Sequence, residues 1–369
     1  MLYKKLVRKV SISPEIKIKQ KEYFDKGTLP IVDQGRELIG GYTDRLELRL
    51  PCELPVIVFG DHTRAVKYID FQFAAGADGI KVLQPNKSVF PKYLYYATQY
   101  LVLRLEDRGY ARHYQYVEKK EIDIPAIDEQ KCIVAKIEEL FSELDNSVET
   151  LQKTKEQLTV YRQATLKKIF QSCDMWIAIE SVCQHVTDGD HLPPPKAEQG
   201  IPFIMISNIE NNIINWDNTA YVKEEYYNNL DNKRRPCEGD VLYTVTGSYG
   251  IPVLVNYEKD FCFQRHIALL RPNNKINPRF LFYAMQSPDV YAQATKVATG
   301  TAQKTVGLGV LRKIKIPYYD DLKKQCEIVN DIETKLTICH NLEKTVDTTL
   351  QQAEAMRQSI LKKAFEGKL

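Results

Sequence analysis

Seven loop-like segments hold the residues of this sequence that could do chemistry. All but one of them combine Gly, Asp or Pro with side chains that donate or accept hydrogen bonds, such as Arg, His, Gln, Thr and Tyr, and the exception, Phe263–His266, has the polar side chains alone. These groups can contact base edges and phosphates of DNA, although the same residue types also line enzyme clefts. The segments are DQGRELIGGYTDR (Asp33–Arg45), GDHTR (Gly60–Arg64), RGYARHYQY (Arg108–Tyr116), TDGDHLPPP (Thr187–Pro195), TGSYG (Thr246–Gly250), FQRH (Phe263–His266) and TGTAQKT (Thr299–Thr305).

The polar side chains of these segments are the candidate DNA contacts. Any single one of them can instead be a solvated loop side chain. Arg108–Tyr116 precedes IDIP much as Thr299–Thr305 precedes IKIP, so we interpret these two loops as equivalent. The first set is Gln34, Arg36, Tyr42, Arg45, His62, Arg64, Arg108, Arg112, His113 and Gln115. The second set is Asp190, His191, Thr246, Ser248, Tyr249, Arg265, Thr301, Gln303 and Lys304.

Other chemistries have weaker support in the sequence. Asp and His lie close together in GDHTR and TDGDH, but a metal needs three or four converging ligands and the spacing gives no obvious set. These pairs are more typical of turns, so we predict no metal site. We find no GxxxxGK[ST] phosphate loop, no GxSxG elbow, no NPPY-like tetrapeptide and no PD-(D/E)xK centre. We therefore expect a binding module with no catalytic residues and no cofactor of its own.

The composition is that of a soluble globular protein with two or more domains. The 369 residues are 44% hydrophobic and 27% charged, with a net charge of +3 that permits nucleic-acid binding without proving it. No apolar run approaches the roughly eighteen residues of a membrane span, and the start of the chain does not resemble a secretory signal. The eight Cys form no CxxC pair. We expect a cytoplasmic protein that does not contact a membrane.

The chain contains an internal duplication. Gln130–Phe170 aligns with Gln325–Phe365 at an offset of 195 residues, with about fifteen identical positions of forty-one. PNKSVFPKYLYYATQ, from Pro85, aligns with PNNKINPRFLFYAMQ, from Pro272, at an offset of 187 residues. Two matches in the same order, with offsets that differ by only eight, favour duplication over chance similarity.

The duplicated segments at residues 130–170 and 325–365 predict two long helices, because neither contains Pro or Gly. Apolar residues recur every seven positions, which is the coiled-coil signature, so we expect an antiparallel pair about 60 Å long rather than two ordinary core helices. We also place Leu140, Tyr161, Leu342 and Met356 on an intermediate seam. The main seam is Ile137, Leu144, Leu151 and Leu158 in the first helix, and Ile332, Cys339, Val346, Ala353 and Ile360 in the second.

The remaining sequence predicts two similar α+β domains. We name residues 1–125 domain 1 and residues 172–320 domain 2, with the helices at 126–171 and 321–369. The architecture is therefore an α+β fold with a pseudo-twofold internal repeat. The predicted strands are Pro55–Phe59, Gly79–Leu83, Asp240–Gly247, Ile251–Val255 and His266–Leu270, and a helix follows in each domain near Pro91–Leu105 and Pro278–Gln286.

This arrangement resembles the specificity subunit of type I restriction–modification enzymes over essentially the whole chain. The matching residues are IDIPAIDEQKCIVAKIEELF from Ile122, the helix ends RQATLKKIF and RQSILKKAFEGKL, and TDGDHLPPPKAEQGIPFIMISNI from Thr187. That family alternates target-recognition domains with conserved helices. Two departures are present: the second helix opens with the longer segment YYDDLKKQCEIV, and domain 1 has no DGxH-like start.

The resemblance implies a subunit without activity of its own. It would bind double-stranded DNA and recruit two methyltransferase subunits, which use S-adenosylmethionine, and optionally two restriction subunits. Each domain would read one half of an asymmetric bipartite site, with half-sites roughly 34–36 Å apart, and the outer helix faces would dock partners. Two alternatives remain open: a coiled-coil scaffold joining two protein- or carbohydrate-binding domains, and an enzyme with a dispersed active site. The sequence gives neither the recognised bases nor the spacer length.

Overall fold

The computed structural model of the chain describes residues 1–76, 79–106, 109, 111–173, 175–190 and 194–369. Its contacts divide it into two units, which we describe separately. Unit 1 comprises Met1–Gln152 and Asp347–Leu369, and unit 2 comprises Lys153–Val346. Each unit therefore holds one globular domain and a part of each long helix. No helix in the described ranges is long and apolar enough to cross a membrane.

Domain 1 consists of two small sheets and two helices. One sheet has the strand order β1-β7-β4-β5 and is antiparallel throughout, and the other has the order β3-β2-β6 with β2 parallel to β6. The elements are β1 (Val7–Val10), β2 (Leu29–Val32), β3 (Gly41–Thr43), β4 (Val56–Gly60), β5 (Val66–Ile69), β6 (Ala74–Ala75), β7 (Ile80–Pro85), α1 (Pro91–Leu103) and α2 (Tyr114–Val117).

The residue types explain the placement of these elements. Strand β4 has the sequence VIVFG and is buried along its whole length, as expected of an apolar β-branched strand between two neighbours. Helix α1 begins with Pro91 at its first position, where a proline has no hydrogen bond to lose. The two strands and the helix that the sequence predicts here are confirmed, with ends shifted by one to two residues.

Domain 2 repeats this plan after the first long helix, α3 (Ile127–Gln171). Its four-stranded sheets have the orders β16-β15-β18-β9 and β10-β14-β11-β17. The elements are β8 (Trp176–Ala178), β9 (Cys183–Asp188), β10 (Lys196–Ala197), β11 (Ile201–Ile204), β12 (Ile209–Glu210), β13 (Ile213–Ile214), β14 (Ala220–Val222), α4 (Glu224–Asn229), β15 (Val241–Thr244), β16 (Pro252–Leu254), β17 (Cys262–Phe263), β18 (Ile267–Pro272), α5 (Pro278–Met285), α6 (Pro288–Val297), α7 (Leu308–Leu311), β19 (Lys315–Pro317) and the second long helix, α8 (Leu322–Phe365).

The predicted duplication is confirmed at the level of topology. The order β1-β7-β4-β5 in domain 1 corresponds to β9-β18-β15-β16 in domain 2. In the second sheets, β2 pairs antiparallel with β3 and parallel with β6, and β11 pairs in the same way with β14 and β17. Equivalent registers also follow, since Ile31 lies opposite Gly41 and Ala74, and Phe203 lies opposite Ala220 and Cys262.

The long helices belong to the cores of both units. In unit 1, Val134, Ile137 and Phe141 of α3 and Ile360 and Leu361 of α8 share one buried cluster with α1. In unit 2, the corresponding buried cluster includes residues from the end of α3 and from the start of α8. Unit 1 thus uses the first part of α3 with the last part of α8, and unit 2 uses the remaining parts. The start of one helix therefore packs with the end of the other, as in an antiparallel coiled coil.

The main seam of the coiled coil lies where the heptads predict it. Seven of its nine residues are buried, and Leu144 and Leu151 are half-buried. The predicted intermediate seam is wrong for Tyr161, Leu342 and Met356, which are 52%, 48% and 55% exposed. The second row of covered side chains lies one residue later: Phe141, Val148, Arg162, Leu336, Glu343, Leu350, Arg357 and Ala364.

The polar members of this second row explain the error. Arg162 donates to Glu343 at 2.7 Å in unit 2, and Arg357 donates to Asp145 and lies 4.4 Å from the ring centre of Phe141 in unit 1. Because the second row carries charges that pair between the helices, a search for apolar residues selects the neighbouring, solvent-facing row instead.

A buried glutamine fixes domain 1 to the start of α3. Gln130 is fully buried, and its Oε1 accepts a hydrogen bond from the backbone N–H of Phe90 at 2.8 Å, at the start of α1. Its Nε2 donates to the carbonyls of Ser88 at 3.1 Å and Pro125 at 2.9 Å. One amide thus satisfies three backbone groups of two segments that meet at the helix. We call this contact the glutamine joint.

Unit 2 contains the same joint 195 residues later. Gln325 is fully buried, and its Oε1 accepts from the N–H of Asn277 at 2.7 Å, at the start of α5. Its Nε2 donates to the carbonyls of Lys275 at 3.0 Å and Tyr319 at 2.7 Å. The longer segment before α8 therefore leaves the joint intact, and the duplication extends to individual hydrogen bonds.

Candidate nucleic-acid interface

Two of the predicted segments meet at one end of the first sheet of domain 1. Strand β4 ends at Gly60, and the following turn contains Asp61, which is 3% exposed. The Asp61 carbonyl accepts from the N–H of His113 at 2.8 Å, and its carboxylate accepts from the N–H of Tyr114 at 2.9 Å. The Nζ of Lys81 lies 3.5 Å from the same carboxylate. Asp61 therefore holds the segments Gly60–Arg64 and Arg108–Tyr116 together.

A third segment joins them through Lys67. Its side chain is 4% exposed, and its Nζ donates to the carbonyl of Asp33 at 2.9 Å and lies 3.6 Å from that residue's carboxylate. Burial lowers the pKa of Lys67, and the Asp33 charge partly offsets this. Next to Asp33, the carbonyl of Gln34 accepts from the hydroxyl of Thr63. We call this end of the sheet, formed by residues 33–35, 60–65, 79 and 111–115, the loop edge of domain 1.

The loop edge presents some of the candidate residues of domain 1. Arg36, Arg112 and Gln115 are exposed near it, and Gln34, His62 and Arg64 are half-buried. Arg108 lies outside the described residues. His113 is 1% exposed, so its side chain serves the fold and is removed from the candidates.

Two further candidates of domain 1 are corrected by strand direction. Tyr42 lies within β3, opposite Pro30 of β2, and Arg45 follows β3. Because β3 runs antiparallel to β2, Arg45 lies beyond the end of β2 opposite to Gln34. Arg45 also lies 3.7 Å from Glu22 and 3.3 Å from Glu47, which offset its charge. The sequence pattern could not reveal this, because Asp33–Arg45 is one polar stretch that turns back on itself.

Three segments of domain 2 meet at the corresponding end of its first sheet. The N–H of Gly247 donates to the carbonyl of Lys304 at 2.9 Å, which binds Thr246–Gly250 to Thr299–Thr305. The N–H of Val245 donates to the carbonyl of His266 at 2.9 Å, which adds Phe263–His266. We call this end, formed by residues 188–190, 245–250, 264–266 and 299–305, the loop edge of domain 2.

The segment after β9 reaches the same edge. Gly189 lies so close to β17 that an added Cβ would fall 2.0 Å from the carbonyl oxygen of Phe263. Asp190 accepts a hydrogen bond from the Tyr226 hydroxyl at 3.1 Å, and Arg234 lies 3.6 Å from the same carboxylate. Burial and this contact raise the pKa of Tyr226. Neither Tyr226 nor Arg234 is among the residues predicted from sequence, although the basic run KRR that contains Arg234 is a usable signal.

Most candidates of domain 2 are placed at this loop edge. Thr246 and Asp190 are half-buried, and His191 lies outside the described residues. Tyr249 stacks on Tyr291, with ring centres 5.8 Å apart, and donates to the Thr295 hydroxyl at 3.2 Å, so α6 holds it. The exposed candidates are Ser248, Arg265, Thr301, Gln303 and Lys304.

A cavity of about 410 Å³ opens at the loop edge of domain 2. Asp190, Gln264, Arg265 and His266 contribute polar groups to it. Its apolar lining comes from the second sheet, through Phe203, Met205, Ala220, Tyr221 and Val222. These apolar residues are not predictable from sequence, because they do not differ in pattern from ordinary strand residues. Within the described residues, no group of three or more His, Cys, Asp or Glu side chains could hold a metal ion.

Comparison with known proteins gives this geometry a family. The family model described as "Type I restriction modification DNA specificity domain" matches residues 185–352. Over these residues the chain is similar to the DNA specificity domain of type I restriction–modification systems. The predicted resemblance is therefore confirmed, and DNA sequence recognition is the role of this family.

Individual relatives agree with this assignment. The EcoBI specificity subunit of Escherichia coli is 25% identical over 279 residues, which cover 67% of this chain and 58% of that protein. The EcoKI specificity subunit of E. coli strain K12 is 23% identical over 336 residues, which cover 83% of this chain and 71% of that protein. Both relatives are named specificity subunits, which agrees with the expectation of a recognition subunit.

A solved structure shows the same fold. That structure is described as showing the structural basis of complex assembly and conformational transition of the type I R-M system. The similarity covers 100% of this chain and 97% of that chain, with a TM-score of 0.70 at 16% sequence identity. The α+β fold with two repeated domains and two long helices is therefore confirmed.

Proposed function

We propose that this specificity subunit reads an asymmetric bipartite DNA sequence, one half-site at each loop edge. The observation that carries the proposal is the contrast between a repeated frame and unlike edges. Both domains present polar segments at the same end of the same sheet, but the side chains at the two edges differ. A repeated frame gives two equivalent docking geometries, and unlike side chains give two different base preferences.

The exposed and half-buried candidates supply the chemistry for this reading. Arginine can donate two hydrogen bonds to guanine, glutamine can pair with adenine, and aspartate can accept from the amino group of cytosine. Lysine and hydroxyl side chains are suited to phosphates, which set the register on the duplex. The proposed contacts are Gln34, Arg36, His62, Arg64, Arg112 and Gln115 in domain 1, and Asp190, Thr246, Ser248, Arg265, Thr301, Gln303 and Lys304 in domain 2.

The proposal includes two methyltransferase subunits as partners, with S-adenosylmethionine bound by them, and optional restriction subunits. Support for docking on the helices comes from exposed apolar side chains of α3 and α8. Tyr161, Ile338 and Leu342 are 52%, 57% and 48% exposed, although apolar groups on a solvated helix are normally few. We expect Leu342→Glu to weaken methyltransferase binding in a pull-down. Leu38→Glu, at a leucine of domain 1 that is 49% exposed, is the matched control. Equal binding by both variants would contradict docking at this surface.

Domain exchange tests the bipartite reading. Residues 1–125 are replaced by the corresponding region of another specificity subunit, and the methylated motif is determined by methylome sequencing with the partner methyltransferase. We expect one half of the motif to change and the other half to stay. A motif that stays whole, or methylation with no fixed motif, would overturn the proposal. Failure of either domain to crosslink to DNA would instead favour the scaffold alternative.

A further inference from the structure

The cavity at the loop edge of domain 2 has a lining that differs in chemistry from its rim. Phe203, Met205, Ala220 and Tyr221 are half-buried, so each leaves part of its apolar surface uncovered. Phe203 packs partly against the small core formed around Val222. The rim carries a carboxylate, an amide, an imidazole and two cations, from Asp190, Gln264, His266, Arg265 and Lys196. An apolar interior with a few converging polar groups is typical of a ligand pocket.

Domain 1 shows what this space can hold. The register equivalents of Ala220 and Gln264 in domain 1 are Gly41 and Gly76, from the pairing of β2 with β3 and β6. Tyr23 lies against both glycines: a Cβ on Gly41 would fall 2.7 Å from the Cβ of Tyr23, and one on Gly76 would fall 2.4 Å from its hydroxyl oxygen. An aromatic ring of the chain itself therefore spans the space that is open in domain 2.

We propose that the cavity of domain 2 takes one nucleobase of its half-site, extruded from the duplex. This inference rests on the proposed function, since it needs DNA at the loop edge. A nucleobase is a planar aromatic ring, as is the Tyr23 side chain that fills the equivalent space. The volume of about 410 Å³ is far larger than a thymine methyl group requires and lies in the range of small-ligand pockets.

The rim matches the remaining parts of a nucleotide. Gln264, His266 and Asp190 carry donors and acceptors for the Watson–Crick edge of an extruded base. Phe203, on the same face of the sheet as Ala220, is the aromatic group on which a base can stack. Arg265 and Lys196, both exposed, lie where they can pair with the flanking phosphates. The base is read by shape and by its hydrogen-bonding edge, with no bond made or broken.

Mismatched duplexes test this inference in the assembled methyltransferase complex. Each position of the domain 2 half-site is mismatched in turn, with the recognised strand unchanged. Because a mismatch removes the pairing that extrusion must break, we expect at least about tenfold tighter binding at one position. A 2-aminopurine at that position should also become brighter on binding. No tightening at any position of a half-site that is still recognised would overturn the inference.

Two cavity variants separate this site from others. Ala220→Trp fills the space as Tyr23 does in domain 1, and we expect it to abolish the mismatch advantage and the fluorescence rise. Phe203→Leu keeps the bulk but removes a stacking face, and we expect a several-fold smaller advantage. An advantage that persists in Ala220→Trp places the base elsewhere, such as in the partner methyltransferase, and contradicts the inference. Loss of both half-sites in wild-type protein would instead contradict the proposed function.

Discussion

In domain 1 the loop edge is closed by side chains of the chain itself, whereas in domain 2 the described residues leave the equivalent space open. Tyr23 lies against Gly41 and Gly76 in domain 1, and the buried Lys67 supports Asp33 beside it. In domain 2, Val253 takes the register position of Lys67, opposite Leu242 on β15, and no charged side chain stands there. The two domains thus differ where they would meet DNA.

The two glutamine joints, unlike the two loop edges, are the same in both units. Gln130 and Gln325 each make three hydrogen bonds to equivalent backbone groups, at distances between 2.7 and 3.1 Å. Two copies that differ freely at their loop edges have kept this contact in full. The difference indicates that the frame is constrained by packing, while each edge is constrained by its own ligand. The following measurements test whether that division holds.

Lys67→Ala should have the largest effect, and it should be confined to unit 1. Removing one partner of a buried ion pair leaves the other uncompensated, so we expect a loss of about 3 kcal/mol in the stability of unit 1. Hydrogen exchange, read separately on peptides of the two units, measures it. Lys26→Ala, at an exposed lysine of the same domain, is the control. An equal loss of stability in both units would show that Lys67 does not stabilise unit 1 alone.

Gln130→Ala and Gln325→Ala should have smaller and nearly equal effects. Each truncation removes the side-chain partner of three partly buried backbone groups, and we expect a cost of about 2 kcal/mol to the unit concerned. The same exchange experiment compares the two units directly. Glu129→Ala, at the exposed neighbouring position, controls for helix propensity. Costs that differ by more than about 1 kcal/mol would mean that the two joints are alike in geometry but not in energy.

The frame was predictable from sequence, and much of the candidate site was not. Heptads and repeated segments predict α3, α8 and the duplication, because periodicity and identity are local properties of the chain. The position of Arg45 depends on the direction of β3, and the burial of His113 depends on Asp61 from a distant loop. The cavity exists because no described side chain covers Ala220 as Tyr23 covers Gly41 in domain 1. No local sequence pattern encodes this difference.

Glu343→Gln should have a still smaller effect, in unit 2. Arg162 and Glu343 are partly exposed, with 35% and 23% of their side chains accessible, so solvent screens the pair. We expect a loss of about 0.5 kcal/mol, which shrinks further as salt rises. Urea unfolding followed by hydrogen exchange at low and high salt measures it. A loss that is independent of salt would show that Glu343 acts through packing in the second row rather than through its charge.

The smallest expected effect is a pH dependence present in unit 2 alone. His185 lies opposite Arg271 between β9 and β18, at the register position that Arg8 holds opposite Gln84 in domain 1. Its Nε2 is buried without a hydrogen-bond partner among the described residues. Burial, Arg271 and Lys233 lower the pKa of His185, and Asp240 and Asp231 partly offset them.

The folded state of unit 2 therefore binds this proton less readily than the unfolded state does. Stability is fully present above the ordinary histidine pKa of about 6.5 and falls as the pH drops through it, whereas domain 1 has no histidine at this register position. Hydrogen exchange at pH 7.5 and 5.5 (about one unit on either side of that value), corrected for intrinsic rates, should show the loss in unit 2 but not in unit 1. His185→Gln should remove the difference between the units. A slope that survives this substitution would assign the pH dependence to the carboxylates around Arg271 instead.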